Sequence, residues 1–106
     1  TGSFGPWLVT VEEIPDPSSL SLTTRLNGEV MQHATTDMLI FTIPVLINYI
    51  SRFTRLEPGD VISTGTPGGV GFKRDPQIFM KPGDRVEVEI SGIGTLTNSI
   101  IFEQAD

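Results

Sequence analysis

The chain has no cysteine, which excludes disulfides and thiol chemistry and fits a reducing compartment. It has a single histidine, His33, too few for a metal centre built on imidazoles. Basic residues are scarce as well: seven Lys and Arg against thirteen Asp and Glu give a net charge of −6. Nucleic acid demands a basic footprint, so it is not an expected partner. No apolar run reaches the roughly 18 to 20 residues of a membrane span, and the first residues do not have the layout of a signal peptide. These absences together favour a cytoplasmic protein with no membrane partner. At 106 residues the chain makes at most one domain, large enough to bury a core. It begins with Thr rather than Met, which is expected of a chain that starts inside a longer protein.

What the chain does have is clear punctuation. Trp7 to Val11 (WLVTV) reads as a strand, stopped by Pro15 and Pro17, which enforce an extended turn. Leu20, Leu22 and Thr24 alternate with Ser21, Thr23 and Arg25, the period-2 pattern of a half-buried strand. Asn27-Gly28 is a strong type I′ turn signal, so a hairpin over 20–32 is expected to return through Val30 and Gln32. His33 to Asp37 suits a helix start. The main helix is expected from Ile43 to Phe53, with Thr42 as its N-cap and Pro44 in its first turn. Its apolar stripe, Val45, Leu46, Tyr49, Ile50 and Phe53, is expected to face a sheet. Two Pro-Gly-Asp turns, in Glu57–Asp60 and Lys81–Asp84, each introduce an expected strand. The first strand opens on Val61 and Ile62. The second runs from Arg85 to Ile90, with Val86, Val88 and Ile90 inward and Arg85, Glu87 and Glu89 outward. Ser91 to Gly94 then bends the chain into a last strand, Thr95 to Phe102. Five or six short strands with one helix indicate a β-rich α+β fold rather than a parallel α/β sheet.

The densest local signal is GDVISTGTPGGVG, Gly59 to Gly71. Glycines at this density let backbone amides approach a ligand without an intervening Cβ, and successive amides can form an anion-binding nest. Thr64 and Thr66 add hydroxyls able to donate to a carboxylate. The same composition also suits a plain connector whose glycines supply positive φ. The loop is not a Walker A motif, because no Gly-Lys-Ser/Thr follows. Nor does its spacing match the dinucleotide fingerprint.

GPWLVT, IPDP, LNGE followed by Gln32, TTDM, LEPGDVISTGTPGGVG, KPGD and VEVEISGIGTLTN occur in that order. Together they resemble the C-terminal half of the fumarylacetoacetate hydrolase family over nearly the whole chain. The resemblance implies that residues 1–106 are the incomplete C-terminal part of a catalytic domain with a mixed β-roll core, usually dimeric. It implies an enzyme acting on 2-oxo acids, among the acylpyruvate and fumarylpyruvate hydrolases, hydroxymuconate-type isomerase/decarboxylases, oxaloacetate decarboxylases and sugar-acid dehydratases. In such enzymes the 2-oxo acid chelates Mg²⁺ or Mn²⁺ through its 2-oxo oxygen and carboxylate, and the metal stabilises an enolate. The implied ligands, a Glu-x-Glu pair and a later Asp, and a catalytic Lys lie upstream of GPWLVT and have no match in this chain. The implied substrate-binding residues within it are Thr66, for the carboxylate-bearing end, and Gly65 beside it, for close backbone approach. No catalytic or metal-ligating residue is assigned within the chain. The expected association is a homodimer, or pairing with the upstream half.

Other residues read as structural. Glu87 and Glu89 have the spacing of the missing Glu-x-Glu pair and share a strand face, but the alternation puts them in solvent. His33 reads as a surface or capping residue, Glu12 and Glu13 as a solvated strand end, and Trp7 as core. A non-catalytic β-rich interaction module, in which the glycine loop is only a connector, or an inactive fragment of the family is the alternative to an enzyme.

Overall fold

The computed structural model describes residues 2–103. Four strands, β1 (Ser21–Leu26), β2 (Glu29–Thr35), β3 (Arg85–Ile90) and β4 (Gly94–Ser99), form one antiparallel sheet in the order β2-β1-β3-β4. One α-helix, α1 (Ile43–Ile50), and three 3₁₀ turns complete the regular structure. The unit is α+β, as expected, with four strands instead of five or six.

The hairpin forms where the Asn-Gly signal places it. Asn27 and Gly28 have φ of 52° and 85°, the paired positive values that a type I′ turn requires. The return strand runs past Gln32 to Thr35, so His33 to Thr35 belong to the sheet rather than to a helix start. A 3₁₀ turn, Thr36–Met38, follows. The hairpin is not regular: Thr24 pairs with Gln32 but Arg25 pairs with Val30. Met31 is thus the extra residue of a β-bulge.

Across the sheet, Leu22, Thr24 and Leu26 lie opposite Ile90, Val88 and Val86, and Gln32 and Ala34 lie opposite Thr24 and Leu22. These residues share one, mainly apolar face, because directly paired residues point to the same side. The other face carries Thr23, Arg25, His33, Glu87 and Glu89. The in/out alternation expected of Arg85–Ile90 therefore holds as a division between faces.

The turn and β3 are joined by a polar node. Asn27 donates from Nδ2 to Asp84 Oδ1 at 2.9 Å and accepts at Oδ1 from the Arg85 amide at 2.9 Å. The other oxygen of Asp84 accepts from the Lys81 amide at 2.9 Å, closing the Pro-Gly-Asp turn. Asp60 closes the first such turn in the same way, accepting from the Glu57 amide at 2.8 Å.

Several expected elements do not form. Trp7 to Val11 is not a strand, and Trp7 is 65 % exposed rather than core. Val61 and Ile62 are also outside any strand. A strand exists only where a neighbour completes its ladder, and neither segment has one among the described residues. The last strand stops at Ser99, with one further pairing through Ile100, whose amide donates to the Asp84 carbonyl at 2.9 Å. Helix α1 starts at Ile43 after Thr42 but stops at Ile50, three residues short of Phe53, and the Thr42 side chain makes no capping hydrogen bond. Tighter bonds, such as the Phe53 amide to the Ile50 carbonyl, wind down the last turn. Its half-buried residues are Ile43, Leu46 and Ile50, while Val45, Tyr49 and Phe53 are exposed. The helix makes no extensive contact with the sheet among the described residues, contrary to the stripe-on-sheet expectation.

Among the described residues no hydrophobic side chain is fully buried, and Asp84, 5 % exposed, is the one buried polar residue. The expected core does not close among the described residues, since the segment around residues 69–80 covers the apolar sheet face only in part.

Asp84's carboxyl is held below the ordinary aspartate value of 3.8, first by the Asn27 side chain and then by the Lys81 amide. A folded pKa below the unfolded one contributes stability that is complete above the unfolded value and is lost as pH falls through the folded one. Asp84→Asn should therefore lower the melting temperature at neutral pH, and the difference from wild type should shrink in acid below the ordinary aspartate value. Parallel melting curves across that range check this, and a pH-independent difference would contradict it.

Candidate functional site

The glycine-rich stretch leaves the Glu57–Asp60 turn as extended chain and ends in a 3₁₀ turn, Gly71–Lys73. Its far end is fastened to the bulge in β2. A Cβ at Gly69 would overlap the Met31 carbonyl oxygen, and Gly69 has φ of 104°, so both space and backbone conformation demand glycine. Arg74 completes the attachment. Its guanidinium donates to the Met31 carbonyl at 2.6 Å and to the Gly69 carbonyl at 3.1 Å. Met31, the unpaired residue of the bulge, presents its carbonyl to the loop.

A second attachment comes from Gln32, the next residue of β2. Its Nε2 donates to Thr66 Oγ1 at 2.9 Å and to the Pro67 carbonyl at 2.9 Å. Thr66 itself is exposed. Gly65, also exposed, has φ of 110°, and a Cβ there would meet nothing within 4 Å. Within this chain glycine is thus required at 65 by conformation, and the space beside Thr66 is open. Among the described residues, no backbone amide from Val61 to Val70 donates a hydrogen bond within the chain. Unpaired amides in an extended, glycine-rich segment are what a nest for an anionic ligand needs, and equally what a strand awaiting a neighbour shows.

A cavity of about 370 Å³ lies between the apolar sheet face and residues 69–80. Leu26, Met31, Val70, Phe72, Ile78 and Val86 contribute to its lining. Gln32 reaches it, but Gly65 and Thr66 do not. Few polar groups converge there, whereas the loop offers a hydroxyl and free amides. We therefore place the candidate site at Thr66 and not in the cavity.

The remaining sequence candidates are dispersed. Glu89 pairs with Arg25 at 2.6 Å and Glu87 with Arg85 at 3.0 Å, so each carboxylate already has a cation. His33 is exposed on β2 with Nδ1 3.0 Å from Thr23 Oγ1. Glu12 and Glu13 lie in an exposed turn. Among the described residues no three His, Asp or Glu side chains could hold a metal ion. The loop's supports, Met31, Gln32 and Arg74, were not singled out as site residues in the sequence. Only the position of Arg74 just past the glycines offers a local signal; the other contacts span more than thirty residues.

The chain belongs to the fumarylacetoacetate hydrolase family: the family model for the Fumarylacetoacetate (FAA) hydrolase C-terminal region matches residues 1–101. It is 45 % identical over 98 residues to a mitochondrial oxaloacetate tautomerase of Bos taurus, covering 92 % of this chain and 31 % of the relative. It is 48 % identical over 102 residues to a 4-hydroxyphenylacetate degradation bifunctional isomerase/decarboxylase of Salmonella dublin, covering 96 % of this chain and 22 % of that protein. Among solved structures, it is similar to the maleylpyruvate hydrolase of Sphingobium sp. SYK-6 in complex with manganese(II) ion and pyruvate. That likeness has a TM-score of 0.85 and 34 % identity over 94 % of this chain and 35 % of that one. The chain thus spans about a third or less of the length of these relatives.

If the loop is held by its contact with the bulge, Gly69→Ala should release it. Overlap with a backbone carbonyl and a positive φ together should cost about 1 to 3 kcal/mol. Amide exchange across residues 61–74 should accelerate. Gly68→Ala is the control, because a Cβ there meets nothing within 4 Å and φ is not positive. Equal exchange in the two variants would show that the loop is held by something else.

Proposed function

We propose that this chain is the carboxylate-holding part of an enzyme that cleaves or isomerises 2-oxo acids, of the acylpyruvate hydrolase, decarboxylase or isomerase type. The observation that carries this reading is the exposed Thr66 residue beside open space at Gly65, on a loop whose amides have no partner among the described residues. The hydroxyl donates to the substrate carboxylate, and the loop amides add partial positive charge around it. The hydrolase, isomerase/decarboxylase and tautomerase names of the relatives, and the pyruvate in the Sphingobium structure, support the reading at the level of substrate class.

The Mg²⁺ or Mn²⁺ implied by the family does not fit the residues of this chain, since no trio of ligating side chains comes together among those described. In this reading its ligands, and the groups that move protons, lie on an upstream half. The chain's own task is to bind and orient the substrate.

Exposed apolar groups support association with that half or with a second copy. Leu8, Ile40 and Phe53 are 77 %, 90 % and 68 % exposed, uncovered among the described residues. Expressed alone, the 106-residue chain should self-associate and melt without a cooperative transition, whereas the full-length protein should be monodisperse with a sharp one. Sedimentation and calorimetry check this. A monomeric, cooperatively melting chain would overturn it.

Thr66→Val keeps the shape of the side chain but removes its donor. In the full-length enzyme this should cost about 1.5 to 3 kcal/mol, the range for a hydrogen bond to a charged group, or roughly 10- to 150-fold in kcat/KM. Assays of acylpyruvate cleavage and of oxaloacetate turnover read the effect. Unchanged efficiency in both would refute the role of Thr66.

A further inference from the structure

We infer that Gln32 fixes the direction of the Thr66 hydroxyl proton and so makes Thr66 a donor toward the ligand; this rests on the carboxylate reading of the loop. Gln32 is a positioning residue that does not itself reach the substrate.

The amide orientation of Gln32 follows from its second partner. A carbonyl oxygen only accepts, so the terminal atom 2.9 Å from the Pro67 carbonyl must be the NH₂ group and not the amide oxygen. That group has two hydrogens. One goes to Pro67 and the other to Thr66 Oγ1, also at 2.9 Å. Thr66 Oγ1 is therefore an acceptor on its inner side, and its own proton cannot point along that line. The directions left to the proton lie away from Gln32, and Thr66 is exposed.

The position of Gln32 is itself fixed. It follows the bulged Met31 in β2, pairs with Thr24, and stands beside the residue whose carbonyl receives Arg74. Strand pairing holds Gln32, and the contact of Arg74 with Met31 brings the loop beside it. A hydroxyl oriented in advance of binding loses less rotational freedom when a carboxylate arrives, and an acceptor ligand is favoured over a donor one.

The test is a double-mutant cycle in the full-length enzyme with Gln32→Met, which keeps length and removes both donors, and Thr66→Val. Gln32→Met alone should raise KM for a 2-oxo acid roughly two- to tenfold, the value of one neutral hydrogen bond, with kcat changed less. In the Thr66→Val background it should leave KM where Thr66→Val alone puts it. An equal rise in both backgrounds, or no rise in either, would overturn the inference while leaving the carboxylate role of Thr66 standing. Loss of the Thr66→Val effect itself would instead overturn the carboxylate reading.

Gln32→Glu supplies a readout that a merely structural role would not move. A carboxylate at that position accepts from Thr66, turns the hydroxyl inward and presents its lone pairs to the ligand. Binding of pyruvate should fall relative to pyruvamide, and by more than in the Gln32→Glu, Thr66→Val double variant, where only the added charge acts. Equal shifts in the two would overturn the inference.

Discussion

The contact between the Met31 carbonyl and the Gly69–Arg74 segment sets the geometry of everything that could act as a site. β2 is an edge strand, so its backbone groups alternate between the ladder with β1 and the open edge. The extra residue in β2 breaks that pattern once, and a guanidinium with two donors occupies the break, bonded to one carbonyl on each side of the contact. A lysine could not span the two carbonyls with the same planar fork. Glycine at 69 then lets the two backbones meet closely. With that end fixed, Gln32 lies within reach of Thr66, and the exposed apex of the loop has a defined orientation although no strand pairs with it.

The polar node at Asn27, Asp84 and Arg85 does comparable work for the sheet. Asn27 serves the turn through its backbone, with positive φ, and serves β3 through its side chain. The hairpin end is thereby tied to the beginning of the strand that lies beside it. In a unit with no fully buried hydrophobic side chain among the described residues, such directional bonds carry a larger share of the register than they do in a closed domain. Apolar burial cannot specify register where the apolar face is only half covered.

What was legible in the sequence was what depends on neighbours a few residues away. The Asn-Gly turn, the Pro-Gly-Asp turns, the start of the helix after Thr42 and the bounds of Arg85–Ile90 all follow from local φ requirements and alternation, and the structure has each of them. Trp7–Val11 and Val61–Ile62 were legible as extended, apolar segments but not as unpaired ones. Alternation or a short apolar run records a preference for extended backbone, while strand formation needs a ladder partner that the pattern does not name. The bulge was hidden for a related reason: Val30, Met31 and Gln32 form an unremarkable run, and only the pairing with Thr24 and Arg25 shows one residue too many.

The site was half legible for a different reason. Thr66 and Gly65 stand out because glycine density marks where a backbone is meant to be approached. The sequence does not say which way a hydroxyl points, and that direction decides whether a threonine favours an anion or a hydrogen-bond donor. In this chain it depends on an amide 34 residues away, whose own orientation is settled by a proline carbonyl one residue further on. The Pro67 carbonyl oxygen only accepts, so it leaves the Gln32 amide a single orientation in which both of its hydrogens are used. The polarity of the loop's exposed face is thus set from beneath by a chain of forced choices, each made by a group able to play only one part.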